Sequence, residues 1–373
     1  MDGFDFPLLL FVLCAICAIR LSYLALVFML GIKKDVYPEN IDLVPVSIVI
    51  SARNEADNLM TFLPIVLEQD YPNFEVIVVN DRSVDETEDI LRAFKVKYPR
   101  LFTTAIAPTD QHWAGKKYAL TIGVKAAKND FLLHIDADCY PQSKNWIREM
   151  VKRYTLGKEI IVGYGPYSKT SGLLNALIRS ETSLIASQYL SLAKIGIPYM
   201  GVGRNLSYKK DLFFQNKGFA SHMELMSGDD DLFINEVAKN KNVGVAFDSD
   251  ANTVSVPESS FSAWLEQKRR HLTTSIHYKW STQIVLLLQY FSAYLFYILA
   301  IISIFVYPSW YPIYGVIPVF WLLMIGALYP LYKRMGQLDL LIWAPITDVF
   351  ILLFYPVAYF QNLILSGNPW KNY

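Results

Sequence analysis

Long apolar segments at both ends of the chain, with a polar region between them, limit what this sequence can fold into. In residues 6–32 only Arg20, Ser22 and Tyr23 interrupt the apolar run. A bilayer core of roughly 30 Å is crossed by about 20 helical residues, so this segment is long enough to be a transmembrane anchor. A cleaved signal peptide fits less well, because the run is too long and has no small-residue cleavage pattern.

Charged residues in and after this segment predict its orientation in the membrane and its contacts. Lys33 and Lys34 follow it directly, and the positive-inside rule therefore places the next part of the chain in the cytosol. Arg20, inside the segment, is costly in a bilayer unless it faces other helices or reaches the interface. We therefore predict an integral membrane protein with a cytosolic soluble domain, located in the inner membrane if the source is bacterial.

The C-terminal region, residues 284–365, is apolar again. Residues 284–307 and 314–332 predict two membrane helices joined by a short turn, and Lys333 then marks a cytosolic loop. Two prolines and an aspartate interrupt residues 340–365. That last segment crosses once, kinks or forms a re-entrant hairpin, and the sequence does not choose among the three.

Composition agrees with a soluble domain joined to membrane helices. Hydrophobic residues make up 53% of the chain and charged residues 18%, which is too apolar for a typical soluble protein. The formal net charge is zero, so charge gives no indication of nucleic-acid binding. Cys14 and Cys17 fall in the first apolar segment and Cys139 stands alone, which indicates no disulfide framework.

The middle of the chain alternates strand and helix patterns. Helical spacing at residues 87–98 and 116–127 separates apolar, β-branched runs, which is typical of an α/β fold with a mostly parallel, Rossmann-like sheet. Ligands bind such sheets beyond the carboxyl ends of the strands. The predicted strands are residues 46–51, 74–80, 131–136 and 160–164.

Polar clusters follow three of these strands. Paired carboxylates at Asp136 and Asp138 suit a divalent cation that also binds substrate phosphates, and the alternative is a turn with solvated acids. Asp81 is placed to accept a hydrogen bond from a nucleobase, with a simple turn residue as the alternative. Asp85 and Glu88 fit a capping box, which is a structural role.

Two further motifs lie near the end of the middle region. Three acids precede a predicted helix at residues 232–237, where the helix dipole tolerates them. Alternatively, crowding raises a carboxylate pKa until one of them serves as a general base. The aromatic and basic segment 261–280 is either an interfacial helix or the place where Arg270 binds a leaving diphosphate. The acids are Asp229, Asp230 and Asp231.

In this order, the motifs resemble those of the family 2 glycosyltransferases, which have a GT-A fold, over roughly residues 45–279. The apolar segments resemble those of the membrane-bound members. The resemblance implies four parts: an N-terminal anchor (6–32), a cytosolic GT-A catalytic domain (45–258), an amphipathic interfacial segment (259–281) and a C-terminal membrane region (284–365).

The resemblance also assigns the donor site. Asp136 and Asp138 correspond to the metal-binding Asp-x-Asp motif, which implies Mg²⁺ or Mn²⁺, and Asp136 also orients the nucleotide. Asp81 favours a uracil base. The implied substrate-binding residues are Arg53, Glu55, Asp81, Lys116, Asp136, Gly203, Gln267 and His271.

Catalytic roles follow from the same resemblance. The acids align with a Glu-Asp-x-Asp-Leu pattern, which makes Asp229 the general base. Glycine replaces the usual glutamate before it, so Asp230 remains a rival. Arg270 faces the diphosphate in a motif resembling Gln-x-x-Arg-Trp, in which His271 replaces tryptophan.

The implied activity is inverting transfer of a hexose from a nucleotide-diphosphate sugar to a membrane lipid or lipid-linked acceptor, with the bilayer as a partner and no nucleic acid. Histidine in place of tryptophan, and few membrane segments, favour a single transfer over processive polysaccharide synthesis. A catalytically silent subunit that binds a nucleotide sugar is the third alternative. Residues 370–373 resemble the cytosolic tail of ceramide glucosyltransferase-like members.

Overall fold

The computed structural model of the protein describes residues 8–38, 43–107 and 115–364, and the C-terminal tail lies outside them. The strands are β1 (Val46–Ala52), β2 (Phe74–Asp81), β3 (Leu101–Ile106), β4 (Phe131–His134), β5 (Cys139–Pro141), β6 (Ile160–Gly163), β7 (Leu206–Lys209), β8 (Val243–Ala246) and β9 (Thr253–Ser255). The helices are α1 (Leu8–Ile32), α2 (Ala56–Leu67), α3 (Thr87–Lys97), α4 (Lys116–Ala126), α5 (Trp146–Val151), α6 (Leu173–Lys194), α7 (Lys210–Gln215), α8 (Asp231–Val237), α9 (Phe261–Ser275), α10 (Trp280–Val306), α11 (Val316–Met335) and α12 (Ala344–Ile364).

Seven strands form one sheet in the order β3-β2-β1-β4-β7-β6-β8, and β5 pairs with β9 in a separate ribbon. Only β7 runs antiparallel to its neighbours in the large sheet. The predicted mostly parallel α/β sheet is confirmed. Because β1, β2 and β4 are parallel neighbours, the residues that follow them meet at one edge of the sheet.

Both faces of the sheet are buried, which explains why its central strands read as continuous apolar runs. Alternate residues of β1 point to opposite faces. Val49 packs in the core that includes α4 and α6, whereas Ile48 and Ile50 pack in the core that includes α2 and α5.

Two local predictions are wrong. The strand predicted at residues 131–136 ends at His134, because the chain turns before the paired aspartates. The capping box is also absent: Glu86, not Asp85, is the N-cap residue of α3. Asp85 instead accepts hydrogen bonds from the backbone N–H of Ala56 and of Thr87, both at 3.1 Å, and so ties α2 to α3.

Four helices of the described residues are long and apolar enough to cross a membrane: Leu8–Ile32, Trp280–Val306, Tyr311–Met335 and Ala344–Asn362. Helix α10 begins four residues before the predicted start at residue 284, because Lys279 donates its backbone N–H to Asn235 and fixes the turn there. The amphipathic segment predicted at 259–281 corresponds to α9 and the turn that follows it.

Arg20 faces other helices. Its guanidinium donates two hydrogen bonds to Asp348 of α12, at 2.9 and 2.7 Å. Tyr297 of α10 donates a third bond to the same carboxylate at 2.7 Å. A buried cation with a bonded carboxylate partner avoids the cost of an isolated charge.

Helices α1 and α11 lie side by side, and their contact is closest at Gly31. A Cβ atom there would lie 2.5 Å from the backbone nitrogen of Leu331. Nearby, Arg334 donates to the carbonyl oxygens of Leu30, Gly31 and Lys33 at 2.9–3.4 Å. Arg334 also binds Asp248 of the α/β domain at 2.7 Å, so this residue joins both helices to the domain.

Helix α12 is one continuous helix that stays along the α/β domain. Near its start, Thr347 donates to Ser180 of α6 at 2.8 Å. Near its end, Asn362 and Arg269 of α9 exchange two hydrogen bonds of 2.9 Å. Helix α6 lies between β6 and β7, so the start of α12 contacts the α/β domain, and its end contacts α9, which directly follows that domain.

Candidate active site

The loops that follow β1 and β2 hold each other in place. Asn54 donates its backbone N–H to Ser83 at 2.9 Å, and its side chain accepts the N–H of Val84 at 2.9 Å. Arg53 is exposed at this edge. Asp81, at the end of β2, is buried and accepts from the adjacent Arg82 at 2.7 Å.

The paired aspartates lie beyond β4 in a small acidic group. Single ligand atoms of Asp136, Asp138 and Cys139 all lie within 4.8 Å of one another. Burial, followed by the charge of Asp136, raises the pKa of Asp138. Burial raises the pKa of Glu55, and the charges of Asp138 and Asp136 add to this, so Glu55 is near the pair.

These residues fit a hard divalent cation. The two carboxylates have ligand oxygens within 4.8 Å of each other, so both can bind one ion. Carboxylate oxygens are the ligands that Mg²⁺ and Mn²⁺ prefer. Cys139 is a poor ligand in this setting, because burial raises the pKa of its thiol and the sulfur contacts Ser255 at 2.8 Å. We therefore assign the candidate metal site to the carboxylates of Asp136 and Asp138.

Lys116, at the start of α4, connects this pair to the acids near α8. Its ammonium lies 2.5 Å from Asp136 and 3.2 Å from Asp229. Burial lowers the pKa of Lys116, but the two carboxylates outweigh that effect and keep it well above its ordinary value. Conversely, burial raises the pKa of Asp229, and Lys116 outweighs this and lowers it.

Asp230 is held differently. It is the N-cap residue of α8 and accepts the N–H of Asp231 at 2.7 Å, while its other oxygen accepts the N–H of Gly203 at 2.7 Å. Burial and the charges of Asp229 and Asp231 raise the pKa of Asp230 to about 7. A Cβ atom on Gly203 would lie 3.3 Å from Lys116, so glycine allows the backbone this close approach.

One cavity unites residues from separate parts of the sequence. Its volume is about 270 Å³ counted to its open mouth. Its lining contains five of the predicted site residues: Lys116, Asp136, Gly203, Asp229 and Asp230.

Asp231, to which the sequence assigned no separate role, connects the acids to α9. Its carboxylate accepts hydrogen bonds from Thr274 and from Tyr278, the latter at 2.7 Å. Thr274 lies one turn after Arg270 on α9. Asp231 therefore fixes the helix that carries the predicted diphosphate-binding arginine relative to the predicted base.

A further connection between α9 and the site passes through Tyr167, which contacts both Gln267 and Arg204. Gln267 accepts a hydrogen bond from Tyr167 at 3.2 Å, and the guanidinium of Arg204 lies 4.5 Å from the centre of the Tyr167 ring. His271 is exposed on the same helix. Arg204 follows Gly203 directly, and its positive charge opposes the rise in the pKa of Asp138. The sequence analysis did not assign this cation to the candidate metal site.

The mostly parallel sheet with acids at its strand ends is the arrangement of a GT-A fold. A mannosyltransferase from Pyrobaculum calidifontis, solved with GDP-Man and Mn²⁺, is similar to 93% of this chain and 99% of its own, with a TM-score of 0.55 and 19% identity. At this identity the likeness supports the fold alone. The model of glycosyl transferase family 2 matches residues 47–214, a little under half of the chain.

Curated relatives are similar over a shorter region. The 4,4'-diaponeurosporenoate glycosyltransferase of Staphylococcus aureus strain USA300 is 31% identical over 125 residues, which are 33% of this chain and 32% of the relative. The protein of that name from the bovine strain RF122 is 28% identical over 160 residues, which are 43% and 41% of the two chains. The chain thus matches well under half the length of these relatives.

Proposed function

We propose that this protein is a glycosyltransferase that moves a hexose from a nucleotide-diphosphate sugar, with UDP as the nucleotide, to a membrane lipid, with inversion at the anomeric carbon. The observation that carries the proposal is the cavity in which Lys116 bridges Asp136 and Asp229. It combines a candidate metal ligand, a cation that can bind phosphate and a candidate base. We place this domain on the cytosolic side, as the lysines after α1 predict.

In this proposal, Asp229 accepts the proton of the acceptor hydroxyl. The Lys116 charge keeps the carboxylate of Asp229 ionised at neutral pH, and therefore able to take that proton. The hydroxyl oxygen then attacks the anomeric carbon opposite the leaving diphosphate, which inverts the configuration.

The leaving diphosphate needs positive charge around it. A divalent ion held by Asp138 and Asp136 would supply electrostatic stabilisation of that group. Two arginines of the chain could add positive charge. The charge of Arg204 lowers the pKa of Asp138, and Arg270 lies on α9, the helix that is fixed by Asp231. Asp81 and Arg53, with Glu55, occupy the strand ends where the nucleoside would bind.

The lipid acceptor rests on two observations. Candidate membrane helices contact the catalytic domain directly, through Arg334 and Asp248. The curated relatives are named for transfer involving 4,4'-diaponeurosporenoate, a lipid-like carotenoid acid. A lipid in the bilayer would reach a domain attached in this way without leaving the membrane.

The test is a panel of labelled nucleotide sugars incubated with membranes that contain the protein. We expect label in the organic extract with one UDP-sugar in the presence of Mn²⁺ or Mg²⁺, and its loss with EDTA and with Asp138→Asn. The exposed Asp211→Asn is the matched control and should retain transfer.

Other outcomes separate the alternatives. Label in an insoluble polymer would show a processive synthase. Donor binding with neither transfer nor hydrolysis, with or without Mn²⁺, would show a silent subunit. Transfer that survives both EDTA and Asp138→Asn would overturn the metal assignment.

A further inference from the structure

Lys117, the second residue of α4, is a buried lysine to which the sequence analysis assigned no role. Its side chain is only 2% exposed, and it lies in the first turn of the helix, where the helix dipole disfavours a positive charge. A buried ammonium is costly unless hydrogen-bond acceptors and negative charges surround it. Successive residues of a helix point about 100° apart, so Lys117 faces a different part of the protein from Lys116.

The ammonium of Lys117 binds the backbone of the segment that leads to the candidate base. It donates to the carbonyl oxygen of His222 at 2.6 Å and to that of Leu225 at 3.0 Å. The backbone N–H of Leu225 donates to the same oxygen of His222 at 3.1 Å. Lys117 therefore holds a turn that lies only a few residues before Asp229.

The segment 222–228 is fixed between α4 and α8. A Cβ atom on Gly115, the residue before α4, would lie 3.8 Å from Met226. On the other side, the ring of His222 contacts Glu236 of α8 at 3.3 Å. Gly228 ends the segment with a φ of 100°, directly before Asp229. A displacement of this segment would therefore pass to the acids at the start of α8.

Lys117 also contributes to the charge balance of these acids. Burial lowers the pKa of Lys117 to about 8, and the charges of four acids oppose this effect. The side chain is therefore mostly protonated at neutral pH. Burial raises the pKa of Asp229, and the charges of Lys116 and, to a smaller extent, Lys117 lower it. The four acids are Asp229, Asp231, Asp230 and Glu236.

We propose that Lys117 is a positioning residue, which holds the segment 222–228 against α4 and so sets where Asp229 lies relative to Lys116 and Asp136. This inference rests on the proposed role of Asp229 as the base and adds a residue on which the position of that base depends. Lys117 is not among the described residues that line the cavity, so it acts through Asp229 and not on a substrate.

Two variants separate the hydrogen bonds of Lys117 from its charge. Lys117→Met keeps an unbranched side chain but removes both bonds and the charge. Lys117→Gln also removes the charge but keeps an amide group that donates hydrogen bonds. Lys125→Met, at an exposed position of the same helix, is the matched control. The other titratable groups that face Lys117 or Asp229 are unchanged in every variant, and they are His134, Tyr208, His222 and His271.

The experiment measures amide hydrogen exchange of the purified full-length protein and its transfer from labelled UDP-sugars to a total lipid extract of the host membranes. For Lys117→Met we expect exchange over residues 222–230 to be at least about tenfold faster than in wild type. Its kcat should be about 10–100-fold lower, because the base is misplaced, while the donor KM stays within about threefold.

The pH profile adds a readout that a purely structural contact would not change. Loss of a nearby positive charge raises the pKa of Asp229, so the fall in rate at low pH should begin at a higher pH in both Lys117 variants. Exchange in Lys117→Gln should be slower than in Lys117→Met, because the amide still donates. Lys125→Met should match wild type in every measurement.

Three results would overturn parts of the inference. Unchanged exchange in Lys117→Met would show that this residue does not hold the segment. Faster exchange with the kcat and pH profile of wild type would leave a structural contact and no positioning role. If Lys117→Met does not fold, Lys117→Gln decides by its kcat and pH profile. Absence of transfer by the wild type would overturn the proposed function and the positioning role together, whereas faster exchange would still show that Lys117 holds the segment.

Discussion

Asp229 and Asp230 are neighbours in sequence, yet different groups hold them. Lys116 binds Asp229 and lowers its pKa, whereas Asp230 caps α8 and has a pKa of about 7. The cap is a structural role that needs no substrate. This contrast favours Asp229 as the base and gives a way to test the assignment.

A base must be unprotonated, so transfer is lost as pH falls through the pKa of the base. With Asp229 as base, Asp230→Asn should retain transfer within about tenfold, and its rate should stay flat from pH 8 to 5. If the rate of the wild type changes near pH 7, where Asp230 titrates, that change should be absent from the Asp230→Asn variant. Asp229→Asn should lower kcat by about 10²–10⁴-fold. Steady-state rates against pH for both variants decide the matter, and loss of transfer in Asp230→Asn alone would reverse the assignment.

Asp231 acts through α9, not through the substrate. Asp231→Asn weakens the hydrogen bonds that Thr274 and Tyr278 donate to this side chain, worth about 0.5–1.5 kcal/mol each, and loosens the helix that carries Arg270. We expect about tenfold slower transfer and a raised donor KM, with the pH profile unchanged. Tyr278→Phe should give a smaller effect in the same direction. A lower unfolding temperature with normal kinetics would leave Asp231 with a structural role only.

At the level of elements, the contact between α1 and α11 depends on Gly31, a residue that has no side chain. A Cβ atom on Gly31 would lie 2.5 Å from Leu331 and 2.9 Å from Pro330, both backbone atoms that cannot move aside alone. Close backbone approach of this kind is how small residues join membrane helices.

Gly31→Ala should therefore push the two helices apart, at a cost of about 1–3 kcal/mol. Thermal unfolding of the detergent-purified protein measures this. Gly326→Ala on α11 is the control, because nothing lies within 4 Å of its added Cβ atom. Its unfolding temperature should be no lower than that of wild type, since alanine favours a helix more than glycine does. An unfolding temperature of the Gly31→Ala variant that equals that of wild type would contradict the close contact between the two helices.

Elements with strong local patterns could be predicted, and those defined by distant contacts could not. β1 and β2 are buried on both faces, so most of their positions are apolar or small and the pattern is clear. β7 and β9 are four and three residues long and contain polar residues, and no period identifies them. The path of α12 depends on Ser180 and Arg269, more than 90 residues away in sequence.

The same distinction applies to the candidate site. Asp136, Lys116 and Asp229 were predicted because each belongs to a recognisable motif, and the structure brings all three into one cavity. Arg204 and the link from Asp231 to Tyr278 were missed. Their partners come from other segments of the chain, and a single sequence does not show which segments meet.

At the scale of the whole molecule, the contacts of α12 imply a topology. Its end at Ile364 should be on the same side of the membrane as the catalytic domain, while Tyr311, between α10 and α11, should be on the opposite side. Both side chains are exposed, at 77% and 81%. Single-cysteine variants at these positions, with Cys14, Cys17 and Cys139 replaced, test this.

Inverted vesicles expose the cytosolic side to an impermeant maleimide. We expect the Ile364→Cys variant to be labelled before detergent is added and the Tyr311→Cys variant only afterwards. The reverse protection at Ile364 would mean that α12 crosses the bilayer and that its contacts with α6 and α9 do not form in the membrane.

The bonds from Arg334 to the end of α1 also set an order of events during synthesis. Arg334 and Leu30 are 304 residues apart. At about 5–20 residues per second, α1 leaves the ribosome roughly 15–60 s before its arginine partner exists. Arg20 waits even longer for Asp348. The first helix therefore spends that interval without these two hydrogen-bonding partners, and the nascent chain must be stabilised by its other contacts until they have been made.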